Sequence, residues 1–148
     1  MEPAKVHASA GGGTVVFRPP ASCVCVVMVC DDMSEADHVS RRLSELNTCC
    51  LVTYRRLQDF TSGVPAGKVA LVILATNDES AVVGRTLHWL RNRWPRCPVA
   101  VVGDTGGGSA EMTARQGGAC YLVRPVDPEH WSALLSHAIG GQARQIKS

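Results

Sequence analysis

Five apolar runs of strand length, at residues 24–30, 49–53, 69–74, 98–102 and 120–123, alternate with stretches of helical period, and this alternation constrains the fold more than any other feature. The runs are nearly continuous in apolar residues and read as parallel strands buried on both faces. Between them, apolar residues recur three and four apart. Ser34 is expected to cap the first helix, with Asp37 three residues on and Ala36, Val39, Leu43 and Leu46 as the apolar stripe. Leu57 and Phe60 anchor a short second helix. Val83, Leu87, Leu90 and Trp94 line a third, which Pro95 closes. The fourth, at 109–116, has only Ala110, Met112 and Ala114 before Gly117 and Gly118 stop it. Asp127 and Pro128 open the last, which buries Trp131, Leu134, Leu135, Ala138 and Ile139 and is expected to end at Gly140 and Gly141. Right-handed crossovers of these lengths predict an α/β, doubly wound, flavodoxin-like sheet of five parallel strands in the order 2-1-3-4-5.

With 148 residues, 45% of them hydrophobic, the chain has material for one core. A flexible N-terminal arm at 1–22, a globular domain at 23–141 and a C-terminal tail at 142–148 are expected. The arm mixes a triple glycine with a Pro-Pro pair and shows no sustained period. The longest apolar run, 23–30, is too short to span a bilayer and leads into two acids, so a cytoplasmic chain without a membrane segment is expected. A net charge of +2 exerts no bulk pull on nucleic acid. Arg85, Arg91, Arg93 and Arg96, around Trp89 and Trp94, read as a solvated helix end and not as a nucleic-acid interface. Seven cysteines, an odd number without CxxC or Cys/His ligand spacing, read as reduced thiols that fill the core. The five histidines are scattered and read as surface or helix-face residues.

Ligands of such sheets bind beyond the carboxyl ends of the strands. The first of these loops holds Asp31 and Asp32, adjacent carboxylates that suit a hard cation such as Mg²⁺ and repel a flavin or nucleotide phosphate. The loop after the fourth strand, GDTGGGS, makes Gly106, Gly107, Gly108 and Ser109 a candidate anion cradle. It lacks the lysine and spacing of a P-loop and the order of a dinucleotide fingerprint, and its composition favours a mobile loop.

In this order, the residues resemble the receiver domains of two-component response regulators, over roughly 24–140. The resemblance is carried by the Asp31-Asp32 pair, the Gly118-Ala119 step, Tyr121, and Arg124-Pro125 followed by an acid-capped last helix; GGACYLVRPVDPEHW is its most specific piece. It implies a third strand ending in a phosphate-accepting aspartate, a fourth ending in a serine or threonine, and a fifth ending in lysine before proline. Together with the acidic pair, those groups hold Mg²⁺ and the phosphoryl oxygens. Here the three positions are Ala75, Gly103 and Arg124. Alanine has no nucleophile, and two carboxylates alone promise only a weak or vestigial Mg²⁺ site. Arg124, beside Pro125, is expected to reach Asp31 or Asp32 and neutralise them without a metal.

Asp78 and Asp104 are the candidate substitutes for the missing acceptor, but a bare carboxylate without metal and cationic partners accepts phosphate poorly. Asp78 also reads as a turn or helix-cap residue. Tyr121 matches the family's aromatic switch position and equally suits a half-buried strand residue. The resemblance thus implies a non-catalytic signalling module that has no cofactor and acts independently of phosphorylation. Its partner would be another protein or a second copy in a dimer, through the face of helix four, strand five and helix five, with no nucleic acid and no membrane. The alternative is a small-molecule or nucleotide sensor at the carboxyl edge of the sheet, with the glycine loop as anion cradle.

Overall fold

Alternating side chains along the apolar runs supply two cores at once, one on each face of a sheet, and each core needs its own layer of helices. A computed structural model describes residues 6–7, 14–15, 24–45, 49–65 and 67–147, and the side chains of 24–45, 50–65 and 67–139. The chain runs β1 (Val6–His7), β2 (Thr14–Val15), β3 (Val24–Cys30), α1 (Met33–Ser44), β4 (Cys49–Tyr54), α2 (Leu57–Ser62), β5 (Val69–Ala75), α3 (Ser80–Arg93), β6 (Val99–Gly103), α4 (Ser109–Gln116), β7 (Cys120–Val123) and α5 (Pro128–Lys147). Strands β4-β3-β5-β6-β7 are parallel neighbours, which is the expected order 2-1-3-4-5.

Val26, Met28 and Cys30 of β3, with Leu71, Ile73 and Ala75 of β5, pack under α1 and α5 through Ala36, Val39, Leu43, Trp131 and Leu135. Val27 and Val29, with Val72 and Leu74, face Leu57 and Phe60 of α2, Leu87 and Leu90 of α3, and Ala114 of α4. The central strands are sealed on both sides: every residue of β5 is buried. Each large side chain so removed from water stabilises the fold by roughly 1.5–3 kcal/mol. On the second face Phe60 is edge-on to Trp89, with ring centroids 5.5 Å apart, and stacked on Trp94 at 6.0 Å.

Four expectations change. The expected arm at 1–22 contributes to the sheet: its described residues form β1 and β2, an antiparallel pair that extends the sheet to seven strands by docking Thr14 and Val15 against Thr53 and Val52. The edge of β4 supplies the hydrogen-bonding partners that so short a segment cannot supply for itself. The cap of α1 is Asp32, whose Oδ1 accepts from the Ser34 N–H at 2.9 Å and the Ser34 hydroxyl at 2.7 Å, so the helix starts before Ser34. The fifth expected strand is not buried on both faces: β7 is an edge strand with Cys120 and Val123 exposed. Finally, α5 continues through Gly140 and Gly141 into the expected tail, to Lys147. Glycine disfavours a helix by about 1 kcal/mol per residue, which is small beside the burial of Trp131, Leu135 and Ala138.

Candidate functional site

The carboxyl edge of the sheet brings Asp31, Asp32, Ala75, Gly103 and Arg124 together, because β3, β5, β6 and β7 end there side by side with Cys30 opposite Ala75 and Gly103 opposite Val123. Arg124 follows β7 directly. Its backbone N–H donates to the Gly103 carbonyl at 2.8 Å, which carries the ladder one residue past the strand and aims the side chain along the edge, ahead of the cis peptide to Pro125.

The guanidinium of Arg124 fills the middle of the site. Nε donates to both carboxylate oxygens of Glu35, at 3.1 and 3.0 Å; Nη1 donates to Asp104 Oδ1 at 3.0 Å and to Asn77 Oδ1 at 3.4 Å; Nη2 donates to the Ala75 carbonyl at 2.7 Å. A planar fork of fixed donors suits this spread of acceptors as a lysine ammonium cannot. The expected pairing with Asp31 or Asp32 is therefore corrected: Arg124 binds Glu35 and Asp104. Asp32 is committed to the helix cap, and its carboxyl is held below the ordinary range by the Ser34 hydroxyl and N–H. The Glu35 contact is largely shielded, with 12% of the Glu35 side chain and 19% of the Arg124 side chain exposed, whereas Asp104 is an open partner at 62%.

Burial pushes the Glu35 carboxyl above its ordinary range, against the attraction of Arg124, while Glu35 and Asp104 hold the Arg124 proton more tightly despite burial. A guanidinium does not release its proton in the accessible range, so the cost of burying the pair falls on the Glu35 carboxylate. Glu35 does not stand out in the sequence as a site residue. The available signal was its spacing: Glu35, Val39 and Leu43 lie four apart, so the acid shares the buried stripe of α1.

The donor set does not fit a firm Mg²⁺ site. Asp32 is occupied by Ser34, the third position offers a methyl group, its carbonyl is taken by Arg124, and a fixed cation already stands beside the acids. Among the described residues no group of three or more His, Cys, Asp or Glu side chains is arranged to hold a metal. Of the other two carboxylates, Asp104 is bound to Arg124, and Asp78 accepts the Thr76 hydroxyl at 2.6 Å in the turn after β5.

Gly103 and Tyr121 form a matched pair: a Cβ on Gly103 would collide with the Tyr121 hydroxyl. The absent side chain lets the tyrosine lie inward over β6, where its hydroxyl donates to the Thr105 carbonyl at 2.6 Å. In the glycine loop, Gly107 takes a left-handed φ of 76°, and its N–H donates to Glu111 Oε1 at 2.7 Å. Arg115 holds the other Glu111 oxygen at 2.8 Å, and Ser109 Oγ lies 3.1 Å from Ser80 Oγ. A carboxylate of the chain itself thus sits on this loop donor. Beside the Arg124 cluster lies a crevice of about 690 Å³, lined by Asp31, Arg55, Arg56, Asn77 and Asp78 among others.

No protein-family model matches the chain. Among curated proteins, Protein RcaC of Microchaete diplosiphon is 39% identical over 61 residues, 40% of this chain and 9% of that protein. The chain therefore spans less than a tenth of that relative's length. Solved structures agree over much more of it. The BeF3-activated receiver domain of DrrB from Thermotoga maritima superposes with a TM-score of 0.65 at 20% identity, covering 80% of this chain and 98% of that one. The response regulator receiver protein from Pseudoalteromonas atlantica gives 0.69 at 15%, with coverages of 80% and 98%. The CheY-like receiver domain protein from Methanospirillum hungatei JF-1 gives 0.69 at 14%, with 84% and 99%. The chain has the receiver fold of two-component response regulators.

Proposed function

We propose that this chain is a receiver-fold signalling module that has given up phosphoryl transfer and works through protein–protein contact. The observation that carries the proposal is the Arg124 fork: it bonds to the Ala75 carbonyl, Glu35, Asp104 and Asn77 at the carboxyl edge of the sheet, beside the position where the resemblance implies an acceptor aspartate and the chain has a methyl group. The methyl group of Ala75 offers no nucleophile, and the charge of Arg124 is already balanced by Glu35 and Asp104. It is not an enzyme on this reading, and Asp31 and Asp32 persist as a surface acid and a helix cap.

The contact surface is the face of α4, β7 and α5. β7 is an edge strand, and the exposed apolar side chains Met112 and Val123, at 63% and 41%, lie on this part of the molecule. Its partner is a protein or a second copy of the chain, with no direct nucleic-acid contact. Size-exclusion chromatography with light scattering tests this: the oligomeric state is expected to be the same with and without acetyl phosphate and Mg²⁺, and the Met112→Glu/Val123→Lys variant to shift it toward monomer. A phosphodonor-dependent change in oligomeric state contradicts the proposal.

The crevice of about 690 Å³ favours a second reading, a sensor of a small polar molecule at the carboxyl edge of the sheet, with Arg55 and Arg56 facing the anionic part of the ligand. A thermal-shift screen with nucleotides separates the two, since a ligand raises stability with the logarithm of its concentration and the signalling reading expects no shift.

A further inference from the structure

The sheet end opposite the Arg124 cluster carries a pair of thiols that take no part in the proposed signalling surface. Cys25 is the second residue of β3 and Cys50 the second residue of β4, and they are register partners on adjacent parallel strands. Their Sγ atoms lie 3.1 Å apart. Partners so placed put both side chains on one face with Cα atoms about 5 Å apart, within the range a disulfide spans without backbone movement. Cys30 lies five positions after Cys25 along β3, about 16 Å at strand rise, so chemistry at this pair leaves the Arg124 site alone.

The surroundings give the pair access and direction. Cys50 is buried at 6%, whereas Cys25 is half-buried. The neighbouring Gly67 is exposed and lacks a side chain to cover the sulfur: a Cβ there would stand 3.7 Å from Cys25 Sγ. Cys25 is also pulled below the ordinary thiol range by its hydrogen bond with Cys50. Burial pushes Cys30 and Cys97 up to about 11, and raises Cys120 as well, so those thiols are poor nucleophiles.

We propose that Cys25 and Cys50 form a reversible dithiol–disulfide pair oxidised by hydroperoxides. The Cys25 thiol releases its proton, the thiolate attacks the distal peroxide oxygen, the O–O bond breaks, and the departing alkoxide, or hydroxide from hydrogen peroxide, takes up that proton, giving a sulfenic acid and an alcohol or water. The Cys50 sulfur then attacks the Cys25 sulfur, the S–O bond breaks, and water leaves with the Cys50 proton. Two thiols and one hydroperoxide thus yield one disulfide, one alcohol and one water. The disulfide pins β3 to β4 at the end of the sheet, and a small thiol in excess returns it to the dithiol.

The test treats the full chain with one equivalent of hydrogen peroxide, alkylates the remaining thiols, and maps the product by mass spectrometry with fragmentation. The expected product has lost two hydrogens, carries a Cys25–Cys50 link and reverts with dithiothreitol. The Cys23→Ser/Cys49→Ser variant is expected to retain the link, and Cys25→Ser to lose it while its circular dichroism matches the reduced wild type. A link through Cys23 or Cys49, oxidation of Cys25 to sulfinic acid with Cys50 unchanged, or an unreacted chain overturns the proposal. So does oxidation of Cys30 or Cys97 at the same rate as Cys25.

Discussion

Arg124 Nη2 donates to the carbonyl oxygen of Ala75 at 2.7 Å, so the last residue of the central strand is held through its backbone by the residue that follows the edge strand. The same guanidinium binds Glu35 through Nε, which ties α1, β5 and β7 together at one point. A cation fixed by several elements is a structural part, and its removal should register as lost stability. Arg124→Ala leaves a shielded carboxylate without its partner and is expected to cost about 2–3 kcal/mol in urea denaturation at neutral pH. Arg124→Lys keeps the charge but not the fork and falls between the two. A loss within about 0.5 kcal/mol, the level of an ordinary surface substitution, would show that the cluster is incidental.

Protonation of Glu35 gives a second expectation. Its carboxyl in the folded chain binds a proton above the ordinary value of 4.5, chiefly through burial. As pH falls, the folded state therefore takes up this proton before the unfolded chain does, and stability rises until pH reaches 4.5. Asp32 runs the other way. Its pKa is held below 3.8 by Ser34, so its contribution is lost as pH falls beneath that value. Denaturation across pH 3–8 is expected to show a rise toward 4.5 and then a fall. Glu35→Gln removes the rise and keeps the fall.

Gly103 supports a third. A Cβ at this position meets the Tyr121 hydroxyl, and the ring cannot yield without breaking its hydrogen bond to Thr105. Gly103→Ala is expected to cost about 1–3 kcal/mol as an overpacked site. Gly103→Ala combined with Tyr121→Ala should recover part of that, and the coupling energy of the double-mutant cycle reads the contact directly.

The fold was legible because burial on both faces writes strands as unbroken apolar runs, and 69–74 became β5 with a shift of one residue at its end. Two elements were not. β1 and β2 are two residues each, too short for any period, and depend on the free edge of β4. The stretch DDMSEAD offers both Asp32 and Ser34 as oxygen acceptors for the cap of α1, and only the backbone angle of the turn chooses Asp32. In the site, the changed positions Ala75, Gly103 and Arg124 were readable by order along the chain. The partner of Arg124 was not, since Glu35 is 89 residues away and an acid on a helix ordinarily faces water.

The most direct measurement is the intact mass of the purified chain after incubation with acetyl phosphate and Mg²⁺. With a methyl group at Ala75 and Arg124 seated in the pocket, the mass is expected to remain that of the unmodified protein. An acid-stable, hydroxylamine-sensitive phosphoryl adduct at Asp31, Asp32, Asp78 or Asp104 would contradict the account at its centre.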